Sequence, residues 1–154
     1  MNPNVTAQYR CWTEDFPENP VWEGPVVRPG DSVYVDLTYP GANVVTYYIE
    51  DVTTGEAQAF TNAAPYVQLT SADFVNEAPG IPLGFTLPNF GSVAVSGNSL
   101  VVESNSGYTY TTYQLASSNN NVYELYDETT GHILSSPSTV ASNGDFSQVF
   151  HYSS

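Results

Sequence analysis

The residue whose type and position best suit chemistry in this chain is Glu77. It lies in residues 72–79, which read Ala-Asp-Phe-Val-Asn-Glu-Ala-Pro and predict a short apolar strand running into a proline-bounded loop. A carboxyl group placed there can take a proton from water and return it to a leaving group. The reference pKa of glutamate, about 4.3, suits such work in acid. From the residues alone a solvated surface carboxylate is the commoner interpretation, so Glu77 is a candidate and not an assignment.

Other kinds of catalytic site find little support in the sequence. His132 and His151 have no ligand spacing and the acidic residues form no calcium-loop pattern, so neither a metal nor a cofactor is expected. No serine lies in a Gly-x-Ser-x-Gly elbow. Cys11 is the only cysteine, so no internal disulfide can form, and it has no obvious histidine partner.

The charge of the chain argues against one class of partner. Its 154 residues carry 16 Asp and Glu against two arginines and no lysine, for a formal net charge of −14. Nucleic-acid binding depends on Lys and Arg that neutralise phosphates, so we expect no nucleic-acid partner. An anionic membrane surface is disfavoured for the same reason, and no apolar run reaches the roughly 18 residues of a transmembrane segment.

The same composition favours tolerance of acid. Because so few basic groups exist, protonating the carboxylates leaves little positive charge behind and therefore little self-repulsion. A secreted β-protein with an acidic surface is the alternative interpretation. The N-terminus lacks the basic region and apolar core of a signal peptide, while the sequon at residues 4–6 is a weak indication of secretion.

Two-residue alternation of apolar and polar side chains recurs along the chain, and no convincing helical period appears. It is clearest at residues 33–39 and 45–50. We therefore predict about nine to eleven short antiparallel strands. With no helix to cover them, the strands must bury their faces against each other, which favours an all-β fold: an antiparallel two-sheet β-sandwich of the lectin-like jelly-roll kind. A closed barrel is the alternative.

Turn signals separate these strands. A proline-glycine turn is predicted at residues 28–31, and Asn-Gly-Asp marks the last hairpin at residues 143–145. Residues 51–55 and 127–131 are two copies of one Asp-x-Thr-Thr-Gly loop, whose glycines suit the positive φ of a tight hairpin.

Several segments, taken in order, resemble the eqolisin family of glutamic peptidases. The Glu77 segment and the Asn-Phe-Gly-Ser-Val strand that follows it are similar to the family's catalytic-glutamate region. The other similar segments are Tyr-Arg-Cys-Trp-Thr-Glu-Asp-Phe-Pro at 9–17, Val-Arg-Pro-Gly-Asp-Ser-Val at 27–33, Ile-Glu-Asp-Val-Thr-Thr-Gly at 49–55 and Gly-Asp-Phe-Ser-Gln-Val at 144–149. Each segment alone is a common strand-and-turn sequence pattern, but the ordered set is specific to the family.

The resemblance implies a β-sandwich, a secreted acid-active endopeptidase, a polypeptide substrate and no metal. It places Glu77 at the catalytic glutamate, which takes a proton from water as the water attacks the scissile carbonyl. A glutamine amide would orient that water and donate to the oxyanion. It also implies that Trp12 and Glu14 line the substrate cleft. From the residues alone, Trp12 is as readily a core aromatic and Glu14 a surface acid.

The family's catalytic glutamine belongs to a segment well upstream of Trp12, and only eleven residues precede Trp12 here. Gln8 is the sole upstream glutamine, and its place beside Tyr9 argues against that role. We therefore expect residues 1–154 to form a single β-sandwich domain that is N-terminally truncated and lacks the first strands of the family domain.

Three functions remain open at this point. The chain is a glutamic peptidase if the missing glutamine is supplied, and an inactive one otherwise. Alternatively, it is a non-catalytic sandwich that binds peptide or glycan through its aromatic residues. It could also be a structural protein that self-associates through exposed strand edges.

Overall fold

Antiparallel strands make up the regular structure of the protein, known here from a computed structural model that describes residues 9–68, 73, 89–103, 110–114 and 121–151. These residues form eleven strands and no helix, which confirms the all-β prediction. The strands are β1 (Arg10–Thr13), β2 (Val21–Val26), β3 (Val33–Gly41), β4 (Val44–Asp51), β5 (Glu56–Ala63), β6 (Ser92–Val95), β7 (Ser99–Glu103), β8 (Tyr110–Gln114), β9 (Leu125–Tyr126), β10 (Ile133–Pro137) and β11 (Phe146–Phe150). Within this described part of the chain, nothing forms a helix long and apolar enough to cross a membrane.

The chain divides into two compact units, Met1–Thr70 and Ser71–Ser154. The first unit contains a two-stranded sheet, β1–β2, and a three-stranded sheet in the order β3–β4–β5. The second contains a four-stranded sheet in the order β6–β11–β10–β9 and a two-stranded sheet, β7–β8. That the whole chain forms one domain stays a prediction.

Strand β4 carries the core of the first unit. Its side chains alternate along the whole strand between half-buried and buried, as the sequence pattern predicted. Val45 and Tyr47 join Ala64 in a buried cluster, and the Tyr47 ring stacks on Phe60 of β5 with ring centroids 5.8 Å apart. Ile49 is also buried on this face of β4, which we call the inner face of the sheet.

Strand β3 lies beside β4, yet its apolar side chains from Val33 to Leu37 stay exposed. Val33, Val35 and Leu37 pair in register with the buried positions of β4 and so share the inner face. The alternation at residues 33–37 therefore identified a strand correctly, but it does not mark buried residues. The β1–β2 hairpin packs on β4 and β5, and the inner face of β3 extends beyond that contact.

The two strands of the β1–β2 hairpin approach each other very closely at Gly24, on the side that faces Ile49 of the sheet. A Cβ atom on Gly24 would lie 2.7 Å from Cys11 Cβ and 3.5 Å from Ile49 Cδ1. Gly24 also has a φ of +103°, which side chains with a Cβ rarely adopt. Two hydrogen bonds hold the hairpin to β5: the Gly24 N–H donates to Gln58 Oε1 at 2.9 Å, and Asn62 Nδ2 donates to the buried Thr13 hydroxyl at 3.2 Å.

The two Asp-x-Thr-Thr-Gly loops form the same turn, one in each unit. In the first, the Gly55 N–H donates to the Asp51 carbonyl at 2.7 Å, and in the second, the Gly131 N–H donates to the Asp127 carbonyl at 2.7 Å. Both glycines have positive φ, +76° and +72°, as predicted. In each turn the aspartate Oδ1 accepts hydrogen bonds from the backbone N–H groups of both threonines.

The second unit is organised around β10 and β11. Leu134 and Ser135 of β10 are fully buried, and Ser135 Oγ accepts a hydrogen bond from Gln148 Nε2 of β11 at 3.2 Å. The predicted last hairpin joins these two strands, and its Asp145 accepts a hydrogen bond from the Gly97 N–H at 3.0 Å. The hydrogen bonds of this turn and the pairing of β10 with β11 thus support the same predicted hairpin.

The close approach at Gly24 leads to a first prediction. Gly24→Ala should lower the free energy of unfolding by roughly 2 kcal/mol or more, because it combines an unfavourable φ with a clash against β1. Gly30→Ala is the matched control, since Gly30 has a φ of +94° but nothing within 4 Å of a Cβ atom. Urea unfolding of both variants separates the cost of the positive φ, which both share, from the cost of the steric overlap with Cys11, which only Gly24→Ala has. Equal losses in the two would contradict the tight packing of the hairpin.

Candidate functional site

The exposed face of the β1–β2 hairpin carries two tryptophans side by side. Trp12 of β1 and Trp22 of β2 are cross-strand partners. Cys11 and Thr13 point toward the sheet, so Trp12 between them faces away from it. Trp12 is 47% exposed and Trp22 63% exposed, which is unusual for the largest apolar side chains. We call this pair the tryptophan face.

Arg10 adds a cation to the tryptophan face. Its guanidinium carbon lies 6.0 Å from the centre of the Trp22 ring, at the outer limit of a cation–π contact. Such a contact restrains the Trp22 ring while leaving most of it exposed. The face therefore offers two aromatic surfaces of the kind that bind apolar and aromatic side chains of a polypeptide.

Glu14 follows directly after β1 and lies at the rim of a pocket within the first unit. The pocket has a volume of about 280 Å³, enough for one large side chain. Its floor is the inner face of the sheet, and its walls are the loop that joins β1 to β2 and the segment that follows β5. The lining residues are Glu14, Asp15, Phe16, Leu37, Val45, Tyr47, Ala64, Tyr66 and Val67.

One hydrogen bond fixes the wall of this pocket to its floor. The Tyr47 hydroxyl donates to Asp15 Oδ1 at 2.7 Å. Burial, the hydrogen bond to Asp15 and the charges of Asp15 and Glu23 together raise the pKa of Tyr47 well above its usual range. The hydroxyl therefore remains a donor at every pH at which the protein can be expected to work, and Glu14 is held next to a restrained Asp15.

Cys11 is not suited to act as a nucleophile. It is half-buried beneath Gly24, and burial together with the negative charge of Asp51 raises the pKa of its thiol. The thiolate is the reactive form of cysteine, so a raised pKa lowers reactivity. Among the described residues no group of three or more His, Cys, Asp or Glu is arranged to hold a metal ion.

Two of the three residues singled out from the sequence are therefore placed. Trp12 and Glu14 lie at one end of β1, both exposed, which rules out a core role for Trp12. Glu77 lies outside the described residues. Trp22 was missed by the sequence reasoning. Its place follows from the hairpin register, because the cross-strand partner of an outward-facing Trp12 also faces outward.

Comparison with solved structures supports the fold. The chain is similar to aspergilloglutamic peptidase from Aspergillus niger, with a TM-score of 0.70 and 20% sequence identity, over 94% of this chain and 81% of that one. The predicted β-sandwich is the fold that the two share. Comparison with the curated proteins finds no match.

The sequence profile of the Peptidase A4 family matches residues 1–146. Because this match spans most of the chain, the protein belongs to the Peptidase A4 family. The resemblance to the glutamic peptidases known as eqolisins is thereby confirmed. Membership of a peptidase family implies a polypeptide substrate.

The hydrogen bond between Tyr47 and Asp15 can be tested by removing the hydroxyl. Tyr47→Phe should lower the free energy of unfolding by about 1.5–3 kcal/mol, since the bond joins a buried donor to a carboxylate. Tyr48→Phe is the matched control, because its hydroxyl bonds to Glu50 on the opposite, outer face of the sheet. Chemical unfolding followed by circular dichroism measures both. A loss no larger for Tyr47→Phe than for Tyr48→Phe would contradict the restraint on the pocket wall.

Proposed function

We propose that this protein is an acid-active glutamic endopeptidase in which Glu77 is the general base. The observation that carries the proposal is the family match over residues 1–146, which includes the whole Glu77 segment. Glu77 is the position of this chain that matches the family's catalytic glutamate by the residues around it. The chain's few cations and many carboxylates support work in acid.

In this mechanism Glu77 removes a proton from water as the water attacks the scissile carbonyl. The same carboxyl then delivers the proton to the leaving amine, so that the peptide bond is hydrolysed with no net change in the enzyme. A neutral amide is the natural partner in acid, because it can orient the water and donate to the developing oxyanion without titrating. In the family this amide is a glutamine, and Gln8, outside the described residues, is not assigned to that role.

The substrate would be held by residues of the first unit. Trp12 and Trp22 supply adjacent aromatic surfaces, and Glu14 supplies a carboxylate at the rim of the pocket. These groups suit an extended polypeptide whose apolar or aromatic side chains rest on the tryptophan face. Acid-unfolded proteins present such side chains, which fits an enzyme that acts in an acidic extracellular setting. Secretion is part of this proposal.

A second function is favoured by the exposure of the tryptophan face itself. Two adjacent exposed tryptophans suit peptide binding whether or not cleavage follows. A chain that kept this face without an effective amide partner for Glu77 would bind polypeptide and release it intact. The two functions differ in one respect only, which is whether the substrate is cleaved.

Substitution of Glu77 tests the proposed chemistry. Glu77→Gln should reduce the cleavage of an acid-unfolded protein at about pH 3–4 by roughly 10²- to 10⁴-fold, because an amide cannot accept the proton from water. Glu128→Gln is the control. It makes the same change at an exposed carboxylate in the second Asp-x-Thr-Thr-Gly turn and should leave the rate unaltered.

Three outcomes of that assay are informative. A loss of cleavage in Glu77→Gln alone supports the peptidase proposal. Equal rates in all three proteins would show that Glu77 is not the base. If folded wild-type protein does not cleave the substrate, the proposed catalysis is excluded. Binding of the same substrate would then support the second function.

Substrate binding by the tryptophan face gives a further prediction. Trp22→Ala should raise KM by roughly 5- to 30-fold, the effect of losing about 1–2 kcal/mol of contact, while kcat changes little. Trp12→Ala should behave in the same way. Tyr34→Ala, which removes an exposed aromatic from the outer face of β3, is the control. An unchanged KM in both tryptophan variants would exclude the face from substrate binding.

A further inference from the structure

Strand β3 has a free edge. Among the residues that the structure describes, β3 pairs with β4 alone, and it stands at the end of the order β3–β4–β5. The residues from Val33 to Leu37 are exposed on both faces of the strand. Their pairing with β4 is regular, and the register shifts only beyond Thr38. This part of β3 therefore offers an unbroken strand edge to another extended segment.

One hydrogen bond shows which backbone groups point toward the free edge. The Val52 N–H donates to the Ser32 carbonyl at 2.8 Å, so the backbone polar groups of Ser32 are directed toward β4. Along an antiparallel ladder the residues alternate, and every second one directs its N–H and C=O to the opposite side. Val33, Val35 and Leu37 therefore direct their N–H and C=O groups away from β4, toward the free edge.

The same three residues place their side chains on the inner face of the sheet, and we call Val33, Val35 and Leu37 the β3 strip. Their exposed fractions are 45%, 51% and 60%, so the strip is an uncovered apolar surface. In an added strand, each residue that exchanges hydrogen bonds with a member of the strip points its own side chain to the inner face. One bound segment can thus pair with the free backbone groups and cover the strip at once.

The β3 strip leads into the pocket of the candidate site. Leu37 lines that pocket, and its cross-strand partner Tyr47 lines it as well. The pocket has a volume of about 280 Å³ and carries Glu14 at its rim. A segment bound along the strip therefore places one of its inward side chains at the pocket.

The charge of the chain favours one occupant of this edge over another. A second copy would bring together two chains that each carry a formal net charge of −14 at pH 7, and net charge of this size opposes association. At about pH 3–4 an unfolded polypeptide has its basic side chains protonated and many of its carboxyl groups neutral. This chain has two arginines and no lysine, so it cannot become comparably positive. Charge complementarity thus favours an unfolded polypeptide.

We propose that the polypeptide substrate binds by strand addition at the free edge of β3, with alternate residues hydrogen-bonded to Val33, Val35 and Leu37. This inference rests on the proposed function, which supplies the substrate. Backbone pairing accepts any sequence, whereas the β3 strip and the pocket favour apolar side chains at every second position. The tryptophan face, on the side of the hairpin away from the sheet, would contact another part of the same polypeptide.

Peptides that lack particular backbone donors test strand addition. The probe is a fluorescently labelled, uncharged octapeptide of alternating Leu and Ser, and its binding to Glu77→Gln protein at about pH 4 is measured by fluorescence anisotropy. In the proposed arrangement each Leu directs its N–H toward β3 and each Ser directs its N–H away. Methylating the two central Leu nitrogens should weaken binding by roughly tenfold or more, because two hydrogen bonds are lost. Methylating the two central Ser nitrogens is the matched control and should change binding by less than about threefold.

The edge can also be altered in the protein. Val35→Pro removes an N–H that points to the free edge, a place where proline is tolerated in a strand. It should weaken binding of the unmethylated octapeptide by about 2- to 10-fold while the circular dichroism spectrum stays that of wild type. Val35→Thr keeps this N–H and nearly the same shape, so it separates loss of the donor from loss of apolar contact. If Val35→Pro does not fold, the comparison of the two methylated peptides still decides the question.

The proposal is overturned if the two methylated peptides bind equally well, or if the unmethylated octapeptide does not bind. It is also overturned if sedimentation shows a dimer that must dissociate before the peptide binds, because a second copy then occupies the edge. Cleavage assays distinguish this result from failure of the proposed function. Cleavage that depends on Glu77, together with equal binding of the methylated peptides, would contradict strand addition alone. A clear preference between those peptides in a protein that cleaves nothing would support strand addition and contradict the proposed catalysis.

Discussion

The contact between Cys11 and Gly24 is the constraint on which the first unit depends. Because Gly24 has no side chain, it can occupy a place where a Cβ atom would lie 2.7 Å from Cys11 Cβ of the neighbouring strand and 3.5 Å from Ile49 Cδ1 of β4. On the inward side of β1, Cys11 is then half-buried and Thr13 buried, while Trp12 on the outward side remains 47% exposed. The exposure of Trp12 and of its cross-strand partner Trp22 is therefore a consequence of packing on the opposite side of the hairpin.

The protein stabilises its carboxylates mainly with N–H and O–H donors. Hydrogen bonds from Thr130 and Thr129 lower the pKa of Asp127, and Asp145 receives the Gly97 N–H and the Asn143 side chain. A lowered pKa keeps a carboxylate ionised in mild acid, so its contribution to stability is lost only as pH falls through that lower value. The Asp127 turn therefore keeps its hydrogen bonds under conditions in which ordinary surface ion pairs weaken.

Local sequence signals predicted much of this architecture, because turns and strands depend on near neighbours. The alternation in β4 and the two Asp-x-Thr-Thr-Gly turns are confirmed in detail. The exposure of Val33, Val35 and Leu37 could not be predicted, since alternation shows which residues share a face but not whether another element covers it. The burial of Asp51 could not be predicted either, because the same motif leaves Asp127 only half-buried in the second unit. For the candidate site, the sequence singled out Trp12 and Glu14, whose roles stay a prediction, whereas Trp22 became a candidate only from the register of the hairpin.

The central claim is that a polypeptide binds on the tryptophan face and is cleaved with Glu77 as the base. Trp12 and Trp22 are the only tryptophans in the chain, so fluorescence excited at a wavelength that tyrosine does not absorb reports on this face alone. The direct measurement is the emission of Glu77→Gln protein at about pH 4 during titration with an unfolded polypeptide that lacks tryptophan. The account predicts a saturable blue shift, as two exposed rings become covered. A spectrum that stays unchanged while wild-type protein cleaves the same polypeptide would contradict it.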